Sequence, residues 1–249
     1  MGKAGDMGMV FRIRFKKIAA VVLALVTAAV FAAGFRAVAD RLSPASLVSR
    51  NLPVIIIDAG HGGFDGGAVA ADGTLEKDLN LSIAKDLQAL LSPLGFQVVM
   101  VREEDEGTND ADAQTIRQRK NSDLRNRLQL TEKYGNAILL SIHMNKFEQT
   151  QYSGAQVFYG PRSEESAPLA EAIQDSIKQQ LQPGNNRLPK EGTKDTYLLY
   201  NAKIPAVIVE CGFLSNAEEL SKLKQEDYQK QMAFSILLGL LTYLDSDTP

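Results

Sequence analysis

This chain of 249 residues contains two histidines, and each closes a short apolar run. His61 ends VIIIDAGH and His143 ends AILLSIH. A third run, PAVIVE, ends in Glu210. Imidazoles and carboxylates bind divalent metals and move protons near neutral pH. A catalytic zinc ion usually takes three protein ligands and leaves one position open, and two imidazoles with one carboxylate make such a set. Glu76 is a candidate for the carboxylate because it opens a helical segment directly after a glycine-rich loop, which can turn back over the strand ends. Each residue also has a plainer reading. His61 could be a loop residue, and His143 a satisfied core histidine. Glu76 could be a first-turn carboxylate favoured by the helix dipole. Glu210 could be a buried ion-pair partner.

The elements that must position these residues are legible in outline. Strand-like runs lie at 54–58, 96–101, 137–142, 154–159 and 206–210, with 197–200 a short strand or edge piece. Helical patterns cover 76–92, 118–134, 163–181 and 226–244. In the first helix Ile83, Ala84, Leu87, Leu90 and Leu91 form one apolar stripe, and Leu124, Leu128 and Leu130 are the apolar positions of the second. Strands alternating with helices of this length predict an α/β fold with a mainly parallel sheet covered on both faces. In such a sheet ligands bind beyond the carboxyl ends of the strands, where His61, His143 and Glu210 stand. The stretch 182–196, rich in Pro, Gly, Asn and Lys, reads as an exposed loop near that edge.

Charge and composition narrow the function. The net charge is −3, and residues 1–35 carry Lys3, Arg12, Arg14, Lys16 and Lys17 against Asp6, so the remainder is more acidic still. Such a domain has no basic surplus for a phosphate backbone, which argues against nucleic acid. The loop GHGGFDGG matches neither G-x-G-x-x-G in its strand–turn–helix context nor the P-loop pattern, which argues against a nucleotide. Residues 18–35 are apolar and uncharged behind a basic flank, as in an export signal or an N-terminal membrane anchor. Cys211 is the only cysteine, and next to Glu210 in an extended run it faces the opposite side and reads as a small buried residue.

Four segments in order, I57-D-A-G-H-G-G63, E76-K-D-L-N-L81, S141-I-H-M-N145 and V209-E-C-G-F-L-S-N216, closely resemble the zinc-dependent N-acetylmuramoyl-L-alanine amidases of the amidase-3 family. The resemblance spans roughly residues 54–245. It implies that His61, Glu76 and His143 are zinc ligands and that Glu210 is the catalytic base. It implies a single domain over 53–245 with a mixed, mostly parallel six-stranded sheet flanked by helices. Before it would come a signal peptide or membrane anchor over 1–35 and a linker or entry segment over 36–52. The implied reaction is hydrolysis of the amide between N-acetylmuramic acid and L-alanine in peptidoglycan strands.

A leader followed by one catalytic domain is most similar to the sporulation and germination members of that family. These strip peptides from spore cortex on the way to muramic δ-lactam. A lipoprotein activator or a muramic-lactam deacetylase would be a pathway partner, and the site of action would be extracytoplasmic. A zinc peptidase of wall peptides and an inactive exported glycan-binding protein are the alternatives.

Around these four residues the expectations are local. Asp58 could orient an imidazole or fix the turn. Asn145 and Asn216 could hold loops through their side chains, and Glu103, Glu104, Asp105 and Glu106 read as a solvated acidic run. Phe213 and Leu214 are expected to pack beneath the Glu210 loop. Where many relatives have D-P-G-A this chain has D65-G-G-A68, which should loosen the turn without removing a ligand.

Overall fold

The computed structural model describes residues 52–246, a single α/β domain. The apolar segment 18–35 and nearly all of the linker lie outside the described residues. Among the described residues no helix is long and apolar enough to cross a membrane.

Six strands form one sheet: β1 (Val54–Ala59), β2 (Val98–Met100), β3 (Ala137–Asn145), β4 (Gln156–Tyr159), β5 (Lys190–Glu191) and β6 (Ala206–Phe213). Their order is β2-β1-β3-β6-β4-β5. Only the β4–β6 pairing is antiparallel. The helices are α1 (Glu76–Leu91), α2 (Ile116–Thr131), α3 (Ser166–Gln180), α4 (Tyr197–Asn201), α5 (Ala217–Leu223) and α6 (Glu226–Ser246).

Strand alternation sorts the core into two layers. Ile55, Ile57, Leu140, Ile142, Val207 and Val209 face the thick layer, where Ile83 and Leu87 of α1, Ile173 of α3 and Ile236 of α6 close over them. Ile56, Leu139 and Ile208 face the thinner layer with Leu198 and Leu199 of α4. Asp58, Ser141, His143 and Glu210 continue the series of the thinner layer by steps of two. All of them therefore reach the same side of the sheet near its carboxyl edge.

Two expectations are corrected here. Residues 197–200 form helix α4, not a strand, and the edge strand is Lys190–Glu191 within the expected loop. Leu198 and Leu199 are adjacent and both buried against the same layer. A strand would send them to opposite faces, whereas neighbouring helical positions can share one. The second concerns α2, whose buried positions are Ser122, Asp123, Arg127 and Thr131, while Leu124 is 36% exposed. A charged network seats this helix, with Leu128 and Leu130 packed against the thinner layer. Its start was marked by an unread signal, a capping box in which Thr115 accepts from the Gln118 N–H and the Gln118 side chain accepts from the Thr115 N–H.

Helix α5 also went unanticipated. Asn216 caps it by accepting from the N–H groups of Glu218 and Glu219 at 3.0 and 3.1 Å. The same side chain donates to the Thr150 and Tyr152 carbonyls, which is the loop-holding role expected of it.

Candidate metal centre and active site

The chain leaves β1 through Gly60 and places His61 in the left-handed region, at φ 63°. A non-glycine residue held there is strained, so its surroundings must enforce the turn. Two buried guanidiniums do so. Arg127 of α2 donates to the Ala59 carbonyl at 3.2 Å and the His61 carbonyl at 2.7 Å. Arg102 donates to the carbonyls of Ala59, Gly60 and Lys77 at 2.8, 3.1 and 2.8 Å.

Asp105 reaches in from the acidic stretch to accept from the Gly63 N–H at 2.8 Å and from Lys77 Nζ at 2.7 Å. Glu103, Glu104 and Glu106 are exposed, as expected of that run. Asp105, though exposed as well, is a brace of the histidine loop.

The turn then returns the chain to α1. Glu76, 3% exposed, stands between the two imidazoles. Its Oε2 lies 3.2 Å from His61 Nε2 and its Oε1 lies 2.9 Å from His143 Nδ1. The rings meet edge to face with centroids 5.0 Å apart. Candidate donor atoms of all three residues lie within 4.8 Å of one another. Backbone N–H groups of Ala68 and Met144 also donate to the Glu76 carboxylate, at 2.8 and 3.1 Å. Burial alone would raise its pKa, but the two imidazoles hold it far below the usual carboxylate range.

Two glycines make room for this cluster. A Cβ on Gly60 would lie 2.2 Å from the His143 ring, so the imidazole rests on bare backbone. At Gly67, φ is +69° and a Cβ would lie 2.6 Å from Glu76 Oε2. Gly66, the residue that departs from the D-P-G-A pattern, has ordinary space around it. The departure therefore falls at the tolerant position of the pair.

Asp58 does not touch an imidazole. It accepts from Arg127 Nη1 at 2.5 Å and from Ser141 Oγ at 2.6 Å, tying β1, α2 and β3 together. Burial would raise its pKa, yet Arg127 keeps it below the ordinary value. Asp65 orients His61 instead, its Oδ2 lying 3.0 Å from Nδ1, which leaves Nε2 turned toward Glu76. The signal that could have found it is the common pattern of a carboxylate backing a metal-binding histidine. Burial would lower the His61 pKa, but Asp65 and Glu76 lift it to about 9.

Glu210 is the Cα partner of His143 across β3 and β6. Its Oε2 is shielded from solvent and has no hydrogen-bond partner. Burial pushes its pKa up to about 7, with the imidazoles pulling the other way. A carboxylate near neutrality is suited to both taking and giving a proton. It shares a cavity of about 380 Å³ with His61, His143, Arg127, Lys120, Leu124 and Tyr197. Thr196 and Asp195 from the end of the 182–196 loop line that cavity too. Cys211 is fully buried on the opposite face, and Phe213 and Leu214 are buried after it.

The donor set fits a zinc ion. It supplies two imidazoles and an ionised carboxylate, with one imidazole braced from behind and an unpartnered carboxylate nearby. The family described as N-acetylmuramoyl-L-alanine amidase matches residues 55–242. The chain belongs to the amidase-3 family.

Within that family it is 36% identical over 190 residues to the germination-specific N-acetylmuramoyl-L-alanine amidase of Bacillus subtilis (strain 168), covering 76% of this chain and 79% of that protein. It is similar to the CwlD amidase from Clostridioides difficile, solved in complex with the GerS lipoprotein. That match has 41% identity and a TM-score of 0.76, and covers 78% of this chain and all of that one (100%). A second N-acetylmuramoyl-L-alanine amidase from Clostridium difficile 630 matches at 32% identity and a TM-score of 0.69 over 80% of this chain and 100% of that one. The amidase-3 fold accounts for the six-stranded sheet, and peptidoglycan is the substrate class of the family.

Proposed function

We propose that this protein is a zinc-dependent N-acetylmuramoyl-L-alanine amidase in which His61, Glu76 and His143 hold the metal and Glu210 is the general base. The observation that carries the reading is the convergence of three donor groups, two of which line one cavity with a carboxylate whose Oε2 is shielded and unpartnered. A zinc ion bound there would polarise the scissile carbonyl and acidify the attacking water. Glu210 takes the water's proton and delivers it to the nitrogen of L-alanine as the amide bond breaks. Asp65 keeps His61 in the tautomer and orientation that present Nε2. Arg102 and Arg127 hold the strained turn, so the donor atoms need little reorganisation on binding.

The biological substrate proposed is spore-cortex peptidoglycan. Removing the stem peptide frees the lactyl carboxyl group of muramic acid, which a deacetylase acting at the neighbouring amino group would ready for δ-lactam closure. The similarity to a germination-specific amidase and to an amidase whose structure was solved in complex with a lipoprotein supports this role and a lipoprotein activator. Residues 1–35 are proposed as the signal peptide or anchor that takes the domain out of the cytoplasm, 36–52 as its linker or entry segment, and 53–245 as the catalytic domain.

The test is mass spectrometry of purified cortex and vegetative peptidoglycan after incubation with zinc-loaded protein. Peptides beginning with free L-alanine and unsubstituted muramic acid are expected. New amino termini at any other residue would assign a wall peptidase instead. Zinc-independent binding without cleavage would leave only a glycan-binding protein.

A further inference from the structure

Most cations around the cleft are committed. The Arg127 and Arg102 donors hold carboxylates and loop carbonyls. Lys120 Nζ lies 3.2 Å from Asp65. Arg187 differs. Its Nη2 donates to Gln156 Oε1, its guanidinium carbon stands 5.0 Å from the centroid of the Phe213 ring, and its Nε is shielded and without a partner. Three shielded side-chain polar atoms lack a partner among the described residues, and Arg187 Nε and Glu210 Oε2 are two of them.

These two residues flank one position. Gln156 is the Cα partner of Glu210 across the antiparallel β4–β6 pair, so their side chains share a face. His143 lies on the other side of Glu210, on β3. The order across the sheet is thus metal donors, Glu210, then Gln156 with Arg187. The loop carrying Arg187 is tied down as well. Gln156 Nε2 donates to the Leu188 carbonyl at 2.8 Å, and the Arg187 N–H donates to Asn185 Oδ1 at 3.0 Å.

We infer that Arg187 is a substrate-binding residue that receives the free carboxylate of the stem peptide's second residue and so sets the enzyme's preference for an acidic peptide. The inference rests on the amidase reading. In that reaction the carbonyl lies toward the metal donors and the leaving nitrogen toward Glu210, so the peptide departs over β4. The glycan side has no carboxylate once the lactyl group is an amide, whereas the wall peptide L-alanyl-γ-D-glutamyl carries one on its second residue. That group lies at most about 7 Å further along the chain. A planar guanidinium, stacked on an aromatic ring and held by one edge, presents its remaining N–H pairs in the fork that matches a carboxylate. A shielded N–H without an acceptor is costly, and a substrate carboxylate would supply one.

The experiment compares N-acetylmuramoyl-L-alanyl-D-glutamate with its D-isoglutamine amide, using zinc-loaded full-length protein and the variants Arg187→Gln and Arg187→Lys. Steady-state cleavage and calorimetric binding are both measured. For the unaltered protein, KM and Kd should favour the acid by about 10- to 100-fold, the range of a charge-assisted hydrogen-bonded pair. Arg187→Gln should abolish that preference with unchanged zinc content, and Arg187→Lys should keep part of it.

Equal weakening of acid and amide in Arg187→Gln, or no acid preference in the unaltered protein, overturns the inference while the amidase reading stands. Acid-selective binding that Arg187→Gln removes, with neither compound cleaved, supports the carboxylate site and counts against the amidase reading.

Discussion

Replacing Arg127 by methionine tests whether a polar network, and not apolar packing, holds the His61 loop. The guanidinium makes contacts at 2.7 Å to Asp123, 2.5 Å to Asp58 and 2.7 Å to the His61 carbonyl, and only 3% of the side chain is exposed. Methionine fills much of the volume but leaves two carboxylates facing each other. Asp58 keeps one partner, Ser141, and Asp123 keeps Thr108. Breaking a buried ion pair from one side costs about 3–5 kcal/mol. For a domain of this size that corresponds to a melting temperature lower by about 6–20 °C.

The pH dependence has a definite sign. In the unaltered protein the Asp58 pKa is lowered, because Arg127 overcomes the effect of burial. Its stabilisation is full above the unfolded-state pKa and is lost as pH falls through the folded value. Without Arg127, burial, the largest influence on Asp58, is opposed only by Ser141 and His143 and raises that pKa, so the carboxylate opposes folding near neutrality. The stability deficit of the variant relative to the parent should therefore shrink as pH falls from 7 toward 5. Asp58→Asn added to Arg127→Met should recover about 1–3 kcal/mol, a coupling that a double-mutant cycle measures. Thermal melts with chelator present, at both pH values, supply the numbers. A single variant melting within about 2 °C of the parent at pH 7 would falsify the network account.

Three further outcomes are expected. Glu210→Gln should retain stoichiometric zinc by atomic emission while turnover falls about 10²–10⁴-fold, and full activity would remove Glu210 from proton transfer. His61→Ala should lose zinc first, with chelator competition showing weaker binding before any change in the chelated protein's circular dichroism, and unchanged zinc affinity would exclude His61 as a ligand. Gly67→Ala should weaken zinc binding, because its Cβ would meet Glu76 and its φ is +69°. Gly66→Ala should leave zinc binding unaltered, and equal effects of the two would refute the steric account.

Much of the site could be read before any fold was known, because polar residues ending apolar strand-like runs are rare enough to stand out. His61, His143 and Glu210, which the proposed site uses, stand out in that way. Glu76 was a candidate from its place at a helix start, and its role rested on the resemblance of its surrounding segment. Residues of the supporting shell were read less well. Asp65 sits four residues from His61, in a loop whose path local sequence does not encode, so only the general pattern of a carboxylate behind a histidine pointed to its contact with Nδ1. Asp58, the carboxylate that seemed placed to orient an imidazole, pairs with Arg127 far along the chain. Arg187 gave no signal, since the loop around it reads as polar and exposed.

The sequence by itself determined the α/β alternation, the strand ends that carry the chemistry, and the family. These follow from apolar periodicity and short-range residue order. Tertiary structure alone decided that α2 docks through Arg127, that residues 197–200 coil into a helix, and that Arg187 stands beside Glu210. Each depends on which distant groups share a shielded volume. Charge pairing and burial there outweigh local preference, because an unpartnered polar group away from water costs more than a residue's intrinsic tendency contributes.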